Sequence, residues 1–143
     1  MIARLAFVIS IAFLMCASGG CSKSRKAQMR EQTKNFNEMA DIMNTITDHT
    51  SYEAAKSKLK PYYVARFEGQ KKLRDKEKQM TPGEKEREAK EIEELKTDPE
   101  YEKSRQAIKR YAHELARITT MPEIGDLYMR EIVGSASELP NGP

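Results

Sequence analysis

The side chains that most often carry out acid–base or metal chemistry do not form a recognisable site in this sequence. His113 is followed by Glu114, as at the start of a zinc-protease helix, but Arg117 stands where that motif requires its second histidine. A di-iron helical bundle requires a glutamate three residues before a histidine, and Arg110 occupies that position. Neither metal site is therefore predicted.

Nucleophilic and phosphate-binding chemistry also lacks a motif. His49 follows Asp48 in a predicted loop, but no serine or cysteine in a recognisable nucleophile elbow accompanies the pair. A solvated loop or helix-cap role is favoured for His49. The glycines Gly125, Gly134 and Gly142 stand alone, so no glycine-rich phosphate loop is predicted. We expect no catalytic residue, no metal and no cofactor, and therefore a non-enzymatic protein.

The first twenty residues differ sharply from the rest of the chain. Arg4 precedes an apolar stretch over residues 5–17, in which Ser10 is the only polar residue, and small residues follow at positions 18–20. A helix needs roughly 20 apolar residues to cross a bilayer, so this stretch is too short to span one. A basic start, a short apolar segment and a small-residue exit predict a secretory signal peptide over residues 1–20. An uncleaved membrane anchor is the disfavoured alternative.

The end of this segment resembles the lipobox of bacterial lipoproteins. There, a small residue precedes a cysteine that is acylated and becomes the new N-terminus, and Gly20 and Cys21 match that pattern. Ser18 departs from it, because the family usually has leucine three residues before the cysteine. Ordinary signal-peptidase cleavage, for instance after Gly19, is therefore the alternative. The resemblance covers about the first 22 residues.

The resemblance implies a membrane anchor and a location. Cys21 would carry the acyl chains, and residues 21–25 would form a lipidated N-terminus and tether. Ser22 follows the cysteine, as in lipoproteins sent to the outer membrane, so we expect the protein at that membrane, facing the periplasm. A soluble periplasmic or secreted form is the alternative. Because Cys16 leaves with the signal peptide, the mature chain has no free pair of thiols for a disulfide.

Basic residues lie in and directly after the tether: Lys23, Arg25, Lys26 and Arg30. Against anionic lipid headgroups, each such cation contributes about 1 kcal/mol of membrane affinity. A tether surrounded by solvent is the alternative.

Composition predicts one small all-α domain after the signal peptide. The charged fraction of 33%, the absence of tryptophan and the low glycine count of seven are typical of helical chains. A formal net charge of +3 is too small for a nucleic-acid-binding protein, so no nucleic-acid partner is predicted. We expect about four amphipathic helices plus a short C-terminal helix over residues 26–133, as an antiparallel bundle or extended helical hairpins. Residues 134–143 are expected to form a disordered tail.

Apolar periodicity places the first two helices. The stripe of the first helix, residues 26–47, recurs at four- and three-residue steps and consists of Met29, Phe36, Met39, Met43 and Ile46. We expect this stripe in the core, although methionines can also form an adaptable partner surface. Thr50 and Glu53 are spaced as a capping box for the second helix, which reaches residue 80 with a kink or a break at Pro61.

The second helix carries a group of aromatic residues among its basic ones: Tyr52, Tyr62, Tyr63 and Phe67. Rings facing solvent along a groove could stack on sugars or nucleic-acid bases. Core burial is favoured, because the chain has few other large apolar residues from which to build a core.

Two cap-then-proline signals start the next helices. Thr81 and Pro82, with Glu84 as reciprocal cap, predict a third helix, which lies on the surface because its apolar stripe is thin. Asp98 and Pro99 start a fourth helix with a buried seam of Tyr101, Ile108, Tyr111, Leu115 and Ile118. A short fifth helix after Pro122 has Ile124, Leu127, Tyr128 and Ile132 on one side.

Charge is distributed unevenly between neighbouring helices. Residues 56–78 contain nine basic and three acidic side chains, whereas residues 84–102 contain nine acidic and four basic ones. We expect the two segments to pair as an antiparallel hairpin. A basic patch for anionic lipid, lipopolysaccharide or nucleic acid is the less favoured alternative.

Together these patterns predict an exported, membrane-tethered lipoprotein that acts as a non-enzymatic interaction or scaffold module of the cell envelope, with a protein partner there. The alternative is a secreted or tethered binding module for a small or anionic ligand.

Overall fold

The computed structural model describes residues 24–135, and over this range the chain is helical without a β-strand. The elements are α1 (Arg25–Asn44), α2 (His49–Gln79), α3 (Pro82–Leu95), α4 (Pro99–Thr119), α5 (Ile124–Tyr128) and a π-helical turn (Met129–Gly134). The predicted all-α class is confirmed. The predicted signal peptide, Cys21 and residues 136–143 of the predicted tail lie outside the described residues.

Helices α1 to α4 begin where side chains satisfy their first amide groups. Thr81 and Glu84 form the predicted capping box of α3, and the Asp98 carboxylate accepts a hydrogen bond from the amide of Glu100 at the start of α4. None of the residues of α3 is buried, so the predicted surface position of this helix is confirmed.

The predicted start of α2 is wrong by two residues. The N-cap is Asp48, whose carboxylate accepts a hydrogen bond of 2.8 Å from the amide of Ser51, while the Ser51 hydroxyl reaches back to the amide of Asp48. A carboxylate is a stronger acceptor for these amides than the Thr50 hydroxyl of the predicted Thr50–Glu53 box. His49 is consequently the first residue of α2 and does not lie in a loop.

Pro61 lies within α2, which continues through it as one helix, so the predicted alternative of a break between two helices is wrong. An interior proline removes one backbone hydrogen bond at a cost of about 3 kcal/mol. Its neighbours Leu59 and Tyr63 are 0% and 3% exposed, and their burial offsets that cost.

Helices α1 and α4 form the most extensive helix pair, and they run in the same direction. Lys26 Nζ lies 2.9 Å from the Asp98 carboxylate where both helices begin. Arg117, near the end of α4, donates a hydrogen bond of 2.7 Å to the carbonyl of Met43 near the end of α1. The start of α1 thus lies beside the start of α4, and the end of α1 lies beside the end of α4. Neighbouring helices in an antiparallel bundle would instead place the start of one beside the end of the other.

Helix α2 runs opposite to both of them. The Tyr62 hydroxyl donates to the carboxylate of Glu38 at 2.7 Å, midway along α1. Towards the end of α2, Lys76 lies 3.6 Å from Glu88, which also binds Arg25 in the first turn of α1. The chain thus returns along α2 and crosses through α3, which allows α4 to start beside the start of α1.

The core contains the apolar stripes that periodicity identified. All five residues of the stripe predicted for the first helix are buried, which confirms their core position, although α1 ends at Asn44 and Ile46 lies just beyond it. Tyr52 and Tyr63 of α2 are buried with them. In α4, Ile108, Tyr111 and Ile118 are buried, whereas Tyr101 and Leu115 are half-buried.

No helix among residues 24–135 is both long enough and apolar enough to cross a membrane.

The predicted charge pairing between residues 56–78 and 84–102 is largely wrong. Among the described residues, a single ion pair, Lys76 with Glu88, joins the two segments. Four acidic side chains pair with cations at the start of α1, through the contacts Arg25–Glu88, Arg25–Glu91, Lys26–Asp98 and Arg30–Glu100. Four pair with a cation three or four residues away in the chain, through Glu86–Lys90, Glu93–Lys96, Glu100–Lys103 and Glu102–Arg105. The pairs with α1 form because tertiary packing brings the start of α1 next to α3 and the start of α4.

Two leucine substitutions test this division between core and surface helices. Leu59→Ala removes a side chain that is 0% exposed and should lower the free energy of unfolding by about 2–5 kcal/mol. Leu95→Ala makes the same change at a half-buried position of α3 and should lower the free energy of unfolding by less than about 1 kcal/mol. Urea unfolding followed by circular dichroism measures both. Equal costs would contradict the peripheral position of α3.

Candidate ligand-binding cleft

Three buried tyrosines from three different elements join their hydroxyl groups in the interior. The hydroxyl of Tyr63 in α2 lies 2.6 Å from that of Tyr111 in α4 and 2.7 Å from that of Tyr128 in α5. The Tyr63 and Tyr128 rings also meet edge to face, with centroids 6.1 Å apart. We call Tyr63, Tyr111 and Tyr128 the tyrosine triad. It connects α2, α4 and the C-terminal segment.

The tyrosine triad has more hydrogen-bond donors than it uses. Three hydroxyls carry three protons, and the two hydrogen bonds between them use two. Arg66 Nη1 adds a further donor, 3.2 Å from the Tyr111 oxygen. Within residues 24–135, the third hydroxyl proton therefore has no acceptor in the triad.

Arg66 is held against two aromatic faces. Its guanidinium carbon lies 5.6 Å from the ring centroid of Phe36 and 5.5 Å from that of Tyr111. Such cation–π contacts stabilise a partly desolvated arginine by about 1 kcal/mol each. The positive charge is therefore positioned beside the tyrosine triad in the folded protein.

The hydroxyls of Tyr63 and Tyr128 are neutral at physiological pH. Burial raises the pKa of Tyr63 well above its ordinary value, and the neighbouring hydroxyls of Tyr111 and Tyr128 raise it further. Burial likewise raises the pKa of Tyr128. These two groups can donate hydrogen bonds, but they are not poised to act as tyrosinate bases or nucleophiles.

A cleft of about 160 Å³ opens beside Arg66 and the triad. Its walls come from α2, α4 and the π-helical turn and consist of Tyr63, Arg66, Phe67, Gln70, Tyr111, Leu115, Met129 and Val133. Most of this lining is apolar or aromatic. Met129 is 46% exposed, so this side of the cleft is open to solvent. Concave, mainly apolar surfaces with a few placed polar groups are typical of small-molecule sites.

The wall that carries Met129 and Val133 depends on unusual backbone geometry. Glu123, just before α5, has a positive φ of 65°. Gly125 packs so closely on α4 that an added Cβ would lie 2.5 Å from the carbonyl oxygen of Thr119. The π-helical turn follows. Such distortions cost free energy and concentrate at functional sites. Their position beside this cleft therefore marks it as a candidate site.

Glu131 attaches the π-helical turn to the start of α2. Its carboxylate lies 2.5 Å from Lys56 Nζ and accepts a hydrogen bond of 3.1 Å from the Tyr52 hydroxyl. The hydrogen bond from Lys56 lowers the pKa of Glu131, so the carboxylate stays charged at neutral pH. Together with Tyr128, this contact holds the cleft wall in place.

The structure gives the two histidines separate, exposed positions. His49 is exposed on the first turn of α2, and Asp48 serves as the N-cap of that helix. His113 has a side chain that is 79% exposed, and the neighbouring Glu114 binds Arg117 at 2.8 Å. Among the described residues, no group of three or more histidine, cysteine, aspartate or glutamate side chains could hold a metal ion.

Arg117 has a structural role that the failed zinc motif did not suggest. It donates a hydrogen bond of 2.7 Å to the carbonyl of Met43, in the last turn of α1, and one of 2.8 Å to the carbonyl of Ile46, two residues beyond the end of that helix. Glu114, which is 9% exposed, holds the guanidinium in this position. The His113–Glu114–Arg117 segment thus closes the end of α1.

The sequence pattern predicts Tyr63 and Phe67 in the core but does not identify the cleft. One feature of the sequence does point to the cleft. Arg66 and Gln70 lie three and seven residues after Tyr63, so they share its face of α2. Polar residues on an apolar stripe indicate either a buried polar contact or a site. The contribution of Met129 and Val133 could not be found this way, because it depends on the π-helical turn.

Comparison of the chain with protein-family models, with curated protein sequences and with solved structures gave no match.

The buried tyrosines should make stability fall at high pH. The pKa values of Tyr52, Tyr63 and Tyr128 are raised by burial, so the stability they contribute is fully present below about pH 10 and is lost as the pH rises above it. Urea unfolding at increasing pH should show the free energy of unfolding falling by about 1 kcal/mol or more per pH unit above pH 10. Tyr63→Phe should flatten this fall. Stability that does not change above pH 10 would contradict the burial of these hydroxyls.

Proposed function

We propose that this chain is an exported lipoprotein, acylated at Cys21, whose helical domain serves as a non-enzymatic interaction or scaffold module of the cell envelope, at the outer membrane facing the periplasm. The observation that supports this most directly is the order of three features. The apolar stretch of residues 5–17 is followed by Cys21, and α1 begins four residues later at Arg25. A soluble periplasmic or secreted form is the alternative if Cys21 is not acylated.

The short tether would keep one end of the domain close to the bilayer. Four residues reach about 14 Å when fully extended. The start of α1 would therefore stay near the headgroups, together with α3 and the start of α4. Because Arg25, Lys26 and Arg30 already pair with acidic side chains of the domain, the acyl chains would supply most of the membrane affinity. Each buried methylene contributes about 0.8 kcal/mol.

The opposite end of the domain would face away from the membrane. Helix α1 has 20 residues and is therefore about 30 Å long. Arg117 binds carbonyls at the far end of α1, and α5 and the π-helical turn follow α4 there. This end, together with the adjoining cleft beside Arg66 that the exposed Met129 borders, is the surface that a partner in the envelope would reach.

Labelling with radioactive palmitate tests the anchor, and the second cysteine provides a matched control. Wild type should incorporate the label, and Cys21→Ala should abolish it and move the protein to the soluble fraction. Cys16→Ala should still be labelled, because Cys16 lies in the segment that is removed. An unlabelled, soluble wild-type protein would favour plain secretion. An intact N-terminus on cytosolic protein would refute export.

Site-specific photo-crosslinking in whole cells tests the interaction role. A photoreactive residue in place of Met129 should give a reproducible adduct with one envelope protein. The same residue in place of Lys90, which is exposed on α3, should not give that adduct. Adducts that are identical at both positions, or absent from both, would count against a partner at the membrane-distal end.

A second candidate function is a tethered or secreted binding module for a small or anionic ligand. The cleft beside Arg66 favours it, because it combines an apolar lining with a positioned charge.

A further inference from the structure

We infer that the cleft beside the tyrosine triad binds a small carboxylate that carries a single ring or a short acyl chain. This inference rests on the second candidate function above, and it adds the chemical class of the ligand and its orientation. The apolar part of the ligand would lie against Phe67, Leu115, Met129 and Val133. Its carboxylate would face Arg66 and the hydroxyls of Tyr63 and Tyr111.

The volume of the cleft matches an apolar ligand group of about one ring. Its volume is about 160 Å³. An apolar cavity of about 150 Å³ is sufficient to bind benzene. Nucleotides and long-chain lipids need the larger pockets of about 300–1,000 Å³ that hold drug-sized molecules. A benzoate-like or short-chain carboxylate fits this volume.

The charge in the cleft selects an anion. The guanidinium of Arg66 presents a planar set of N–H donors, which match the two oxygens of a carboxylate. Its contacts with the rings of Phe36 and Tyr111 already restrict its motion, so binding would cost little additional side-chain entropy. A cationic ligand would be repelled by this guanidinium at close range.

The tyrosine triad adds a hydrogen-bond donor to the cleft. Its third hydroxyl proton can reside on any of the three hydroxyls, and Tyr63 and Tyr111 line the cleft. A ligand oxygen beside either of these two hydroxyls could accept a hydrogen bond from it. Carboxylate oxygens are acceptors only, so they complement both this hydroxyl and Arg66.

The unusual backbone around the cleft supports the same conclusion. The positive φ at Glu123, the tight packing of Gly125 and the π-helical turn all lie in the segment that brings Met129 and Val133 to the cleft. A segment that only covered the core could use an ordinary helix.

Titration with benzoate tests the inference. Binding is measured on the Cys21→Ala chain, which lacks the acyl anchor but is unchanged over residues 24–135, by following the Met129 methyl signal in NMR spectra. Benzoate should bind saturably. Arg66→Gln should weaken binding by about tenfold or more, which corresponds to the loss of a charge-assisted hydrogen bond. Arg74→Gln, an exposed arginine on the same helix, should leave the dissociation constant unchanged.

Two further measurements keep the test decisive if Arg66→Gln destabilises the fold. Toluene has the ring without the carboxylate, so it should bind more weakly than benzoate to the unsubstituted cleft. Met129→Trp adds bulk at the exposed side of the cleft and should abolish binding of both compounds while the circular dichroism spectrum stays unchanged.

The inference would be overturned by benzoate that does not saturate, by equal affinity for toluene and benzoate, or by binding that Met129→Trp does not affect. These outcomes are independent of palmitate labelling at Cys21. Failure of the ligand site therefore leaves the proposed membrane anchor untouched, and loss of labelling leaves the ligand site untouched.

Discussion

The hydrogen-bonded tyrosine triad is the interaction on which the rest of the tertiary structure depends. Hydroxyl groups cost several kcal/mol to bury without partners, and these three satisfy that requirement largely through one another. Because Tyr63, Tyr111 and Tyr128 belong to three elements, the triad fixes α5 and the π-helical turn against α2 and α4. The cleft exists only in this arrangement, since its walls come from the same three parts of the chain.

Charged side chains close the two ends of the domain in different ways. At the start of α1, Arg25, Lys26 and Arg30 pair with acidic residues of α3 and α4, so the end nearest to Cys21 has much of its charge neutralised internally. At the far end, Arg117 donates hydrogen bonds to the carbonyl of Met43 in the last turn of α1 and to that of Ile46 just after it, and Arg117 is itself held by Glu114. Both arrangements use charge to orient helices, and neither resembles a catalytic site.

Predictions from local sequence succeeded where one short segment contains all the interacting groups. The Thr81–Glu84 capping box and the Asp98–Pro99 helix start depend on residues within four positions of each other, and both are present. The start of α2 was missed because two overlapping caps competed and the Asp48 carboxylate was the stronger acceptor. The charge-paired hairpin was wrong because nearest neighbours in sequence were assumed to be nearest neighbours in space.

The sequence by itself determined the helical class, the buried stripes of α1 and α4 and the peripheral position of α3, because apolar periodicity is a property of single helices. It also carries the pattern that predicts acylation at Cys21. Only the tertiary structure decided that α1 and α4 run in the same direction, that acidic side chains of α3 pair with the start of α1, and that Arg66 lies beside three tyrosines. Those features join residues 45 or more positions apart, and their energies depend on distances that periodicity along one helix does not specify.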